Sequence, residues 1–244
     1  MKVTFFGASH GVPEPHRNYS CAMIEAEGKY YLIDMGIDPT PELVNRGLSP
    51  NDITAAFITH SHGDHTYGLA AFTGICTWYY TQADPLIFLP EKSMLDGLKA
   101  WVGATCGQGL RQNIRFDYVR EGGIYDDGTL KVSAMPTGHM ENAYAFLIES
   151  EGKTLLFTGD MKHKDGPISD FARFVTKDGL DLAVAEGAHF DVMLYQEPLR
   201  AHPPKLFCIN HYNQWQTAAC WQLKRALEPD IPTLIATDGL EIKL

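Results

Sequence analysis

Thr59-His60-Ser61-His62-Gly63-Asp64-His65 packs three imidazoles and a carboxylate into six consecutive positions. It follows the apolar run Ala55-Ala56-Phe57-Ile58, so a short strand delivers the cluster to its own C-terminal end. Imidazole nitrogen and carboxylate oxygen are the ligands that suit Zn²⁺ and its borderline neighbours. The competing reading is a polar loop of solvated histidines. Histidine is scarce enough that this spacing favours metal.

One loop cannot fill two metal shells, and further donors stand at the ends of other strand-like runs. Leu130 to Met135 breaks at Pro136-Thr137-Gly138 and presents His139. Thr154-Leu155-Leu156-Phe157 ends in Thr158-Gly159-Asp160, and Leu206-Phe207-Cys208-Ile209 ends in Asn210-His211. Each places one metal-competent side chain just past a β-rich stretch bounded by turn formers. A single such residue is weak, but the first cluster raises all three.

In this order the residues resemble the metallo-β-lactamase superfamily of metal-dependent hydrolases. Its signature is His-x-His-x-Asp-His, a lone His, a Gly-Asp and a last His near the C-terminus. The resemblance implies that His60, His62 and His139 hold one metal, that Asp64, His65 and His211 hold the other, and that Asp160 bridges them. It implies two divalent ions, zinc first, with manganese and iron left open. Members with a redox di-iron centre carry Glu where this chain has His62, which disfavours an oxidoreductase. The implied fold is α/β, a four-layer αββα sandwich with the metals at one edge.

The rest of the chain agrees. Its 244 residues suit a single domain, 1–244, and no linker-like stretch divides it. Ile24-Glu25-Ala26-Glu27-Gly28-Lys29 and Ile148-Glu149-Ser150-Glu151-Gly152-Lys153 share five of six residues and read as hairpin turns. They suggest two similar halves, about 1–125 and 126–244, although turn chemistry alone can produce such a match. Helices are expected after Thr40-Pro41, from Thr66 to Trp78, and in the region from Glu91 through Met94, Leu95, Leu98, Trp101 and Val102. Two more are expected after Ser169 and from Gln214 to Leu227, where Trp215 reads as core and Pro229 as the stop.

Five cysteines without a C-x-x-C pair read as thiols of a reducing compartment. The stretch Leu69 to Tyr80 is too short and too polar for a membrane span, and no signal peptide is visible, so a cytoplasmic location is expected. The stretch Trp78-Tyr79-Tyr80 is compatible with core or with a homodimer contact.

Two adjacent cations can share a hydroxide, ionised near neutral pH, and polarise the bond it attacks. Asp64 then serves as ligand and as orienter of the nucleophile. Asp34, ending the run Tyr30 to Ile33, could orient a ligand imidazole or simply cap a turn. His10, His163 and His189 are candidates for protonating the leaving group, with His189 preferred and Glu186 as its orienter.

Phe6-Gly7-Ala8-Ser9-His10-Gly11-Val12-Pro13, the block Thr59 to Leu69 and Asp181 to Glu186 look most like the phosphodiesterase branch, which includes the tRNA 3′-end endonucleases and smaller cyclic-phosphate and nucleotide phosphodiesterases. The tRNA endonucleases carry a tRNA-holding arm between the lone His and the bridging Asp, where about twenty residues stand here. The formal charge is −10 and no basic cluster is visible. The expectation is therefore hydrolysis of a small anionic phosphodiester, with nucleic acid an unlikely partner. A lactone, thioester or other carboxylic-ester hydrolase, and a non-catalytic metal-binding regulatory module, stay open as alternatives.

Overall fold

A computed structural model of the chain describes residues 1–161, 166, 168–176, 179–228 and 230–244. Two seven-stranded sheets pack face to face with helices outside each. The first sheet contains β1 (Lys2–Gly7), β2 (Cys21–Ala26), β3 (Lys29–Ile33), β4 (Ile53–Phe57), β5 (Leu86–Leu89) and β6 (Arg115–Tyr118). The second contains β7 (Gly122–Asp126), β8 (Lys131–Pro136), β9 (Tyr144–Ser150), β10 (Lys153–Phe157), β11 (Leu182–Glu186), β12 (Phe207–Asn210) and β13 (Thr233–Ile235). A last strand, β14 (Glu241–Lys243), returns to pair with β1 in the first sheet. This is the four-layer αββα arrangement that the ligand order implied.

The layering follows from residue alternation. In β4, Ala55 and Phe57 point into the core between the sheets, while Ala56 faces the outer helices. In β10, Leu155 and Phe157 point inward and Leu156 outward. Strands β3 to β6 run parallel, as do β10 to β13, so helices cover their outer faces and the strands read as nearly continuous apolar runs. The outer helices are α1 (Thr40–Asn45), α2 (Gly63–Thr66), α3 (Gly68–Trp78) and α4 (Lys92–Cys106) on one side. On the other lie α5 (Ile168–Val175), α6 (Gln196–Ala201) and α7 (Thr217–Leu227).

This topology sends the C-terminal ends of β1, β3, β4, β8, β10, β11 and β12 to the same edge of the sandwich. That edge is tight. The Tyr144 amide donates to the Thr59 carbonyl at 3.0 Å, joining the two sheets. Gly159, at φ +55°, leaves room for Thr59: a Cβ there would lie 2.9 Å from the Thr59 Cβ.

Local expectations hold with instructive exceptions. The two Glu-Gly turns have positive φ at both residues (Glu27 47°, Gly28 76°; Glu151 52°, Gly152 69°), the geometry of type I′ hairpins. The helix expected from Thr66 is two: α2 holds Asp64 and His65 within its single turn, and α3 follows. Thr40 is the first residue of α1, and the capping role falls to the Asp38 carboxylate, which accepts the Thr40 amide at 3.0 Å. Trp215, read as core, is 71% exposed on a 3-10 turn before α7, where Cys220, Leu223 and Leu227 form the buried stripe. Pro229 and His163 lie outside the described residues.

Phe57 anchors the core two residues before the metal loop. It stacks on Phe88 at 5.1 Å and meets Tyr125 and Phe146 edge-on at 5.3 and 6.1 Å, touching both sheets. Phe57→Ala is expected to cost about 3–5 kcal/mol in a denaturant titration; a loss below about 1 kcal/mol would show that the layers close without it. A second tie between the sheets is Asp127, whose Oδ2 accepts from Lys29 Nζ and the Tyr31 hydroxyl, both at 2.9 Å, while Oδ1 accepts the Thr129 and Leu130 amides. Partial burial pushes its pKa up, but these donors outweigh burial and hold it below the usual carboxylate range. Because the folded value lies below the unfolded one, the stabilisation is present above about pH 4 and fades as pH falls through the folded value. Asp127→Asn is thus expected to lower the melting temperature at pH 7, with the gap to wild type narrowing in acid; a constant gap would contradict this.

Candidate metal centre

The metal-competent side chains singled out by sequence converge at that edge, from the ends of four strands, β4, β8, β10 and β12. His60 Nε2 and His62 Nδ1 lie 3.1 Å apart, as do His62 Nδ1 and His139 Nε2. On the other side, His65 Nε2 is 3.1 Å from His211 Nε2, which is 3.0 Å from Asp64 Oδ2. Asp160 stands between the groups. Its Oδ2 is 3.6 Å from both His60 Nε2 and His139 Nε2, and its Oδ1 is 3.4 Å from His65 Nε2. Within the group of His60, His62, His139 and Asp160, and within that of Asp64, His65 and His211, the donor atoms all lie within 4.8 Å of one another.

These distances fit a metal better than they fit a hydrogen-bond network. Imidazole nitrogens 2.0–2.1 Å from a tetrahedral Zn²⁺ sit about 3.3 Å apart, close to the 3.1 Å spacings here. In the first trio, each close approach sets one ring nitrogen against another. Asp160 Oδ1 and His211 Nδ1 are buried with no hydrogen-bond partner, and such groups cost free energy unless something satisfies them. A divalent cation satisfies the carboxylate oxygen. A further group joins Asp160 to Glu186, His189 and His211, and Asp160 Oδ1 also faces His65, so the donor set fits divalent ions gathered around this one carboxylate.

Electrostatics point the same way. Burial pushes His60 down to about 2, with the neighbouring His65 adding to the effect, and pushes His139 down to about 4. Both are neutral at physiological pH and offer lone pairs. Burial also opposes charge on Asp160 and Asp64, yet the surrounding imidazoles outweigh it and hold both carboxyls well below the usual range. His65 is held well above its ordinary value because Asp34 and Asp160 outweigh its burial. The centre thus combines ionised carboxylates with neutral imidazoles at His60 and His139, the states in which both bind a cation.

Around it sits a second ring of contacts. Asp34, at φ +58°, accepts from His65 Nδ1 at 2.7 Å and from the Thr59 amide at 2.8 Å. Of its two candidate roles, orienting an imidazole is therefore the one its geometry supports. Thr59, to which the sequence alone assigns no role, donates its hydroxyl to Asp34 at 3.0 Å and lies 3.1 Å from His60 Nδ1. Its position directly before His60 was the available signal. Glu186 Oε2 is 2.5 Å from His189 Nδ1, and His189 packs its ring against His139 at 4.7 Å and parallel to His211 at 5.8 Å. His10 is buried 6.4 Å from the His211 ring, beside Glu14. His211 itself adopts φ +48°, a strained value for a non-glycine residue.

The sandwich with a His/Asp centre at its strand ends is the metallo-β-lactamase fold. It is shared at TM-score 0.79 with the metallo-beta-lactamase fold protein YhfI from Bacillus subtilis (14% identity, 99% of this chain and 98% of that one). It is shared at TM-score 0.75 with the short form of human tRNase Z (20% identity, 100% and 99%). The family model described as "Anti-Pycsar protein Apyc1" matches residues 1–189, and the chain belongs to that family. A ribonuclease Z from Shouchella clausii is 33% identical over 159 residues, covering 63% of this chain and 49% of the relative. The chain spans about half the length of the curated relatives it matches first.

One expectation is overturned here. Net charge and the missing arm argued against nucleic acid as a partner, yet the matching relatives are ribonucleases by name. A charge sum over the whole surface says little about a site whose bound cations supply the local positive field. No helix among the described residues is long and apolar enough to cross a membrane.

A ligand that binds only the folded protein stabilises it by about 2.7 kcal/mol at 100 times its Kd. Zinc added to chelator-treated protein is accordingly expected to raise the unfolding midpoint, and Asp160→Ala to lose most of that shift. Identical midpoints with zinc and with chelator would argue that the centre holds no metal.

Proposed function

We propose that the protein is a dinuclear-metal-dependent hydrolase that cleaves a phosphodiester bond, with a small phosphodiester as its substrate. The observation that carries this reading is the placement of Asp160, one oxygen toward each ligand group. His60, His62 and His139 would hold one ion and Asp64, His65 and His211 the other, with Asp160 shared. Two such ions, when bound, lower the pKa of water and neutralise charge on a phosphoryl group.

The chain's own side chains would do the rest. Asp64 reaches His211 Nε2 with one oxygen and packs against Gly11, so it could orient the attacking water from beside the first loop. His189 is placed to protonate the leaving oxygen: Glu186 occupies its Nδ1 and leaves Nε2 as the free proton-bearing nitrogen. Burial pulls its pKa down, but the hydrogen bond and charge of Glu186 outweigh burial and raise it to about 9, so the ring is protonated at neutral pH. Bound dications would draw that value back toward neutrality, where a general acid works best. Five free cysteines, four of them buried, support a reducing, cytoplasmic setting.

The test is a substrate panel in zinc- or manganese-loaded protein: a cyclic nucleotide, bis(p-nitrophenyl) phosphate, a short RNA and a lactone, each with and without chelator. Chelator-sensitive cleavage of the phosphodiesters is expected. Faster turnover of RNA than of the small diesters would move the substrate to nucleic acid, and cleavage of the lactone alone would refute the phosphodiesterase reading. His189→Ala should lower kcat by about 10²–10⁴-fold on the alkoxide-leaving nucleotide and far less on the p-nitrophenyl ester, whose leaving group needs no proton. Equal losses on both would remove His189 from that role.

A further inference from the structure

The geometry points to Thr59 as a positioning residue that ties both halves of the metal centre to one buried carboxylate, its hydroxyl fixing the tautomer of His60 while Asp34 directly fixes that of His65. This rests on the metal-centre reading above and goes beyond it by assigning protons to named atoms.

A threonine hydroxyl has one proton to give and two lone pairs to accept with. Thr59 Oγ1 is 3.0 Å from both oxygens of Asp34, an acceptor-only group when ionised, so its proton goes to the carboxylate. Its other neighbours are two ring nitrogens, His60 Nδ1 at 3.1 Å and His65 Nδ1 at 3.4 Å, and the proton of the latter goes to Asp34 Oδ2 at 2.7 Å. With the hydroxyl proton already committed, the His60 contact is a hydrogen bond only if its Nδ1 carries the proton. His60 Nε2, the atom facing His62 and Asp160, is then left with its lone pair. Asp34 Oδ2 does the same for His65 by accepting from Nδ1 at 2.7 Å, which frees Nε2 toward His211.

The two imidazoles belong to different ligand groups, yet both are oriented from one carboxylate, one directly and one through Thr59. The site is sealed: Thr59 is 1% exposed, Asp34 2% and His60 0%. Asp34, Thr59 and His65 border a cavity of about 20 Å³, room for a single water, so Thr59→Val sets the hydroxyl against one water at most. The arrangement is asymmetric. Removing the hydroxyl leaves His65 with its carboxylate and strips His60 of its acceptor, so the two subsites respond differently.

The test measures zinc affinity of the full-length protein by chelator competition for wild type, Thr59→Val and Thr59→Ser, with ring-nitrogen NMR of the histidines. Valine keeps the shape and loses the hydroxyl; serine keeps the hydroxyl. Thr59→Val is expected to weaken one zinc site by about 10–100-fold and to leave the other within about threefold, while Thr59→Ser binds like wild type. Unchanged affinity at both sites in Thr59→Val, or equal damage in Thr59→Ser, overturns the proposal. If the valine variant does not fold, wild type decides alone: the inference requires the His60 proton on Nδ1, and a proton on Nε2 sinks it. Wild type that binds no zinc at all defeats the metal-centre reading instead, and the NMR result still rules on the tautomer.

Discussion

Asp160 is 3% exposed and has the imidazoles of His60, His65, His139, His189 and His211 within 3.4 to 3.7 Å. A carboxylate so placed is out of water and surrounded by nitrogens, and burial keeps two of the imidazoles, His60 and His139, neutral. Its charge needs compensation that the protein alone supplies only in part. Divalent cations complete the balance, and the edge of the sandwich is organised so that ligands from many strands can reach them.

The fold makes that convergence inexpensive in chain entropy. Parallel strands with their C-terminal ends on one edge deliver a donor each, and the side chain's position is set by a rigid sheet instead of a long loop. The Tyr144–Thr59 hydrogen bond and the close passage of Gly159 lock the two sheets together at that edge. Strain is concentrated there as well, at Asp34 and His211, both held at positive φ. The core behind, centred on Phe57, Phe88, Tyr125 and Phe146, holds the strand ends in place.

How much of this the sequence reveals depends on how narrowly chemistry restricts each position. Metal-competent side chains come from few residue types, so His60 through His211, Asp160 among them, stand out by identity and order. The layered fold is legible because apolar alternation and strand-end turns are direct consequences of burial. Thr59 is not legible, since a buried threonine at a strand end is ordinary until its four neighbours are seen. Trp215 misleads because an aromatic at helical spacing is usually core, whereas here it falls on the 3-10 turn outside the stripe of α7. Net charge misleads about partners because recognition depends on the local field at one edge of the fold. Substrate choice belongs to loops whose shape no periodicity encodes.

Diffraction from crystals grown with zinc or manganese, recorded at the absorption edge of the metal, bears most directly on the central idea. Two anomalous peaks should appear, one enclosed by residues 60, 62 and 139 and the other by residues 64, 65 and 211, with one oxygen of Asp160 against each. No peak within that edge, or a lone peak that leaves Asp160 without a metal contact, would contradict it.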